Sequence, residues 1–157
     1  MLLKCINKPT PTDQLIIDKF YIVMGLSVIN NKIRVLVLDP NHYPTWYSME
    51  YFTQEDKLIP EHFIIRTHFP YDEWYKQPSD LFGLTINEQT SLIMGYPLLV
   101  DSSIHYFNLI ERNKNDINIF REEYKKVADH HYSAYLEILP NDKDGLEFQE
   151  RRLMYPE

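Results

Sequence analysis

The side chains that could do chemistry in this chain are mainly histidines and carboxylates, and their spacing decides between roles. Asp101 and His105 stand four apart, which puts them on one face if both are helical. Asp129, His130 and His131 add three more potential metal ligands, so a site could be drawn from His105 and one of the adjacent histidines. Neighbours on a helix, however, point about 100° apart and do not easily grip one ion together. None of the metal spacings HxxEH, HExxH or HxH occurs. His131 also falls on an apolar stripe and reads as a core histidine with a hydrogen-bond partner. The expectation is no metal and no cofactor.

Acid–base chemistry has two adjacent carboxylate pairs to draw on, Asp72-Glu73 and Glu122-Glu123. Glycosidase chemistry needs two carboxylates held a fixed distance apart across a cleft, whereas adjacent residues of a strand or helix diverge. Glu122-Glu123 therefore reads as a solvated helix face. No G-x-S-x-G elbow is present, and Ser91, Ser102 and Ser103 read as helix residues or caps. Glycine is scarce, with 4 residues, and neither G-x-G-x-x-G nor a P-loop occurs, which argues against a phosphate-cradling loop. Cys5 is the single cysteine, so an intrachain disulfide and a multi-cysteine zinc site are ruled out; it reads as a semi-buried thiol. No catalytic residue is assigned.

The segment Tyr71-Asp72-Glu73-Trp74-Tyr75 places two acids among three large aromatics, with prolines at 70 and 78. Aromatics anchor protein interfaces and nearby acids orient the partner, so Asp72, Glu73, Trp74 and Tyr75 are the expected partner-binding residues. The competing reading packs Trp74 and one tyrosine inward, with the acids in water. Charge favours the interface. The net charge is −7, and residues 61–111 alone hold seven acids against two bases. Such a surface repels phosphate backbones and complements a basic protein. The expectation is a protein partner, no nucleic acid and no membrane. No run approaches the roughly 20 apolar residues of a membrane span, no signal-peptide stretch is seen, and a cytoplasmic location is expected.

These residues must be positioned by elements that change character along the chain. Residues 1–14 form a lead-in in which 1–6 could be a short edge strand. Leu15 to Leu26 reads as a strand, starting as late as Lys19, and Asn30-Asn31-Lys32 is a turn, because Asn tolerates the left-handed backbone. Ile33 to Leu38 is nearly all apolar, as a strand buried on both faces would be. After the turn at Asp39-Pro40-Asn41-His42 come a strand from Pro44, a helical turn at 49–52 and a strand over 62–67. Residues 69–84 read as an aromatic connector packed across the sheet. Helical patterning follows. Thr85-x-x-Glu88 is a capping box for a helix running to Met94, with Gly95 as its cap and Pro97 as its stop. Asp101-Ser102-Ser103 caps a second helix, and Asp116 caps a third whose stripe is Ile117, Phe120, Tyr124, Val127, His131 and Tyr135.

The order of a strand ending in Tyr21-x-Val23, a strand ending at Asp39-Pro40-Asn41, then Pro44-Thr45-Trp46-Tyr47 and Phe52, then Pro60 and Phe63, resembles the small SH3-like barrels of short bacterial proteins. Several of those belong to toxin–immunity loci. The resemblance covers residues 15–68. It implies an N-terminal SH3-like antiparallel β-barrel (15–68); with the connector and helical half read for 69–157 packed on it as one unit, the expected fold is α+β. It also implies a non-enzymatic immunity protein, an antitoxin that binds and neutralises a cognate toxin domain. The alternative is a small hydrolase or transferase whose site assembles from distant histidines and carboxylates.

Overall fold

The computed structural model describes residues 1–10, 14–29, 31–67 and 92–138, the side chains at 29 and 131–138 excepted. Within these residues the fold is α+β, with two antiparallel sheets and three helices. The strands are β1 (Leu2–Cys5), β2 (Phe20–Ile22), β3 (Gly25–Ile29), β4 (Lys32–Leu38), β5 (Pro44–Ser48), β6 (Phe52–Gln54), β7 (Ile64–Arg66) and β8 (Leu92–Gly95). The helices are α1 (Pro97–Asp101), α2 (Ser103–Ile110) and α3 (Lys114–Ile138). One sheet has the order β2-β1-β6 and the other β5-β4-β3-β8-β7. The described strands therefore make two sheets and no closed barrel. They depart from the expected SH3-like barrel over 15–68 at two non-local pairings: β1 lies in the middle of the small sheet rather than at an edge, and β8 enters the large sheet beside β3.

The three layers follow from β4. Its residues Val35 to Leu38 are all buried, because alternate side chains serve two cores. Val35 and Val37 meet Leu3, Cys5, Tyr21, Tyr47 and Phe52 between the sheets. Leu36 and Leu38 face the helices, in a second core with Met24, Ile93, Leu99, Leu109, Phe120 and Val127. The stripe read on α3 is thus buried at Ile117, Phe120, Tyr124 and Val127; the side chains of His131 and Tyr135 lie outside the described set.

The seat of α1 on the sheet is made by a glycine pair. Gly25 and Gly95 stand opposite each other across β3 and β8. A Cβ added to Gly25 would lie 2.6 Å from Leu99 Cδ2, and one added to Gly95 2.7 Å from the same atom and 3.0 Å from the Met24 carbonyl oxygen. Leu99, fully buried, fills the space both side chains leave empty. Here the sequence expectation is corrected. Leu92 to Met94 is not the end of a helix but a strand, its buried residues Ile93 and Met94 pointing one into each core. Pro97 does not stop a helix; it opens α1 at the first position, where a missing N–H costs nothing.

Asn31 adopts φ 61° in the β3–β4 hairpin, as its sequence position suggested. The β4–β5 turn is organised by Asp39, which is 2% exposed. Its carboxylate accepts from the backbone N–H of Asn41 and of Tyr43 at 2.9 Å each and from Thr45 Oγ1 at 3.1 Å. A 3₁₀ turn, Met49–Tyr51, links β5 to β6 where a helical turn was expected. Cys5 is fully buried rather than half-exposed, with Sγ 3.1 Å from the Asn7 carbonyl oxygen.

Candidate functional site

The polar constellation that the described residues bring together is a chain of four side chains beneath the helices. It begins at Tyr96, the residue between β8 and α1, and runs through His105 and Asp116 to Asn108. Ser102 caps α2 by accepting from the His105 backbone N–H at 3.1 Å, which fixes the first turn of that helix and turns the His105 ring inward. Asn108, three residues on, shares that face. Asn113, and not Asp116, caps α3, accepting from the Asn115 N–H at 3.0 Å. Asp116 is thereby free of the capping role read from the sequence. Its carboxylate instead takes His105 Nδ1 at 2.5 Å and Asn108 Nδ2 at 2.8 Å. The other ring nitrogen, His105 Nε2, lies 2.7 Å from Tyr96 Oη.

Protons can be assigned along this chain. A carboxylate only accepts, so Nδ1 carries the ring proton; in the neutral ring Nε2 is then the acceptor and Tyr96 donates to it. Burial pushes the Tyr96 phenol far above its ordinary value, and the charges of Glu123 and Asp116 push it further, so the hydroxyl keeps the proton it donates. Tyr96 is 1% and His105 2% exposed, and the Asp116 side chain 14%. Each ring nitrogen is engaged by a protein atom. The arrangement resembles a relay in composition, but both ends terminate inside the protein, and it fastens α1, α2 and α3 to one another.

The sequence candidates separate in space. Asp101 does not share a site with His105: it pairs with Arg66 of β7 at 3.2 Å, at the surface. Glu123 is not wholly solvated, standing 3.6 Å from His62 Nε2 and 2.7 Å from Lys126 Nζ, while Glu122 reaches Lys125. Asp129 and His130 are exposed. Among the described residues no three His, Cys, Asp or Glu side chains converge as metal ligands. The expected interface residues Asp72, Glu73, Trp74 and Tyr75 lie outside the described residues. Sequence reasoning missed Tyr96 and Asn108. The available signal was His105 and Asn108 at i, i+3 among apolar residues, since two polar groups on a buried face require a partner.

In comparisons with known proteins, no family model, no curated protein and no solved structure matches the chain. Among the described residues no helix is long and apolar enough to cross a membrane.

Proposed function

We propose that this chain is a non-enzymatic binding protein of the immunity type, which neutralises a basic bacterial toxin domain by covering it. The observation that carries the reading is the closure of the Tyr96–His105–Asp116–Asn108 chain. His105 is one of the two histidines, with His130, on which the hydrolase or transferase alternative drew, and it is buried with both ring nitrogens engaged internally. A substrate has no approach to it. Charge supports the same reading. The acid excess in residues 61–111 suits a cationic partner and would speed the encounter.

Kinship with the SH3-like barrels of immunity proteins is part of this proposal. Its support is that two stretches of chain pass from one sheet to the other. Residues 20–29 pair with β1 as β2 and with β4 as β3, and residues 44–54 leave β4 as β5 and join β1 as β6. Small barrels and orthogonal sandwiches turn their corners in this way. A cytoplasmic location goes with this reading, and no cofactor is required.

The test begins with the full chain as bait in a lysate of its source cells. The recovered partner, expressed alone, should be toxic to a bacterial host and harmless when this chain is co-expressed. Recovery of no partner in near-equal amount, or of one whose toxicity the chain does not relieve, rejects the proposal. The interface assignment is tested separately by Asp72→Lys and Glu73→Lys in the recovered pair. Association should slow by about tenfold or more and lose part of its salt dependence; unchanged kinetics would remove these residues from the interface.

A further inference from the structure

The β4–β5 turn carries an arrangement that neither the fold nor the proposed function uses. Arg121, on α3, has one side-chain hydrogen bond among the described residues, from Nη2 to the His42 carbonyl oxygen at 3.2 Å. Its Nε is buried and has no partner. The adjoining His42 holds φ 63°, and its Nδ1 is also buried and unpartnered. Arg112, in the turn between α2 and α3, stands over the Tyr43 ring with its guanidinium carbon 4.6 Å from the centroid. Two arginines from two places in the helical layer thus converge on consecutive residues of one turn.

Neither arginine forms an ion pair among the described residues, although the chain carries 23 acids and 16 lysines and arginines. The acid built into the turn is Asp39, and its oxygens are occupied by Asn41 N, Tyr43 N and Thr45 Oγ1. Arg121 has therefore given up part of its water without gaining a counter-charge, a costly state for a cation. A guanidinium offers five N–H donors in a planar fork that matches an oxyanion. Among the described residues one of Arg121's is used and none of Arg112's.

From this convergence we infer that the β4–β5 turn, with Arg112 and Arg121 above it, is a binding site for a small oxyanion, whether the phosphoryl group or the carboxylate of a small molecule. The anion supplies the counter-charge that the protein withholds. The site lies apart from Asp72–Tyr75 in sequence and does not depend on the immunity reading.

The experiment is thermal unfolding of the full chain in chloride at fixed ionic strength, titrated with inorganic phosphate in one arm and with citrate in the other. A ligand at about a hundred times its dissociation constant should raise the melting temperature by about 5–10 °C for a chain of this size. The rise should fall to about 2 °C or less in Arg112→Gln and in Arg121→Gln, and Arg121→Lys should recover part of it. Amide shifts confined to residues 41–43, 112 and 121 give a second readout should Arg121→Gln itself melt early. A response to phosphate alone identifies a phosphoryl ligand, and one to citrate alone a carboxylate. No stabilisation in either arm, or an equal rise in wild type and all variants, overturns the site.

Discussion

Replacing Asp116 tests the proton assignment beneath the helices, because two substitutions at this position should differ sharply. In Asp116→Ala, His105 Nδ1 and Asn108 Nδ2 both lose an acceptor at 2.5 and 2.8 Å. Hydrogen bonds to a charged group contribute about 1.5–3 kcal/mol each. The Asp116 side chain keeps 14% exposure, so water can reach part of the gap, and the lower half of that range applies. The expected loss is about 3–4 kcal/mol, or about 10 °C in melting temperature. Asp116→Asn is different. Its amide nitrogen can donate to His105 Nδ1 if the ring proton moves to Nε2, which then donates to Tyr96 Oη, a hydroxyl that accepts as readily as it donates. Asn108 still donates to the remaining oxygen. The cost should be about 1 kcal/mol, with the ring tautomer inverted. Urea unfolding gives the energies, and nitrogen chemical shifts of the His105 ring give the tautomer. Equal losses in the two variants, or an Nδ1 proton retained in Asp116→Asn, would refute the assignment.

Three further outcomes are expected. Gly95→Ala should destabilise the fold by about 1–3 kcal/mol, since its Cβ meets both Leu99 and the Met24 carbonyl; adding Leu99→Ala should give a double mutant less impaired than the sum of the two, and strict additivity in urea titrations would contradict the shared seat. Trp46 is half-buried against the Tyr106 ring, with centroids 5.4 Å apart, so Trp46→Ala should lower stability by about 3–5 kcal/mol, and an unchanged melting curve would contradict that packing. Burial pushes the Tyr21 phenol up to about 12, against the opposing effect of the Ile16 N–H that it accepts. The protonated form is favoured by folding, so its contribution is whole below pH 10 and is lost as the pH rises through 12. Ultraviolet titration should show Tyr21 and Tyr96 ionising late and together with unfolding, and early ionisation of every tyrosine in a folded chain would contradict this.

What the sequence made legible was local. The Asn31 turn, the burial of Val35 to Leu38 on both faces (though Ile33, expected to share it, is exposed), the Ser102 cap and the stripe from Ile117 to Val127 each rest on the chemistry of a few neighbouring residues. The misreadings were of two kinds. The helix end expected at Leu92 to Met94, whose start at Thr85 lies outside the described residues, and the edge strand expected at 1–6 failed because strand pairing is non-local: Leu92–Gly95 suits a strand only once β3 lies beside it, and the Gly25–Gly95 pair has meaning only across the sheet. Asp116 was misassigned because an aspartate near a helix start suits both a cap and a buried acceptor. Asn113, three residues earlier, takes the cap, and only the fold brings His105 and Asn108 within reach.

The position of β8 has a consequence for how the chain can be cut. Four strands of the large sheet come from residues before 67, but the strand between β3 and β7 comes from 92–95. A fragment ending at residue 67 would leave β7 without its one strand partner and β3 with a bare edge, its backbone donors and acceptors lining a strand-wide opening. Such an opening recruits any available strand, and misassembly follows. The natural occupant is short and its register is set by the glycine pair, so a separate piece beginning near residue 92 should be able to enter the gap and restore the fold. The two pieces would then behave as halves of a split protein, each unsound alone and reporting by reassembly that the other is present.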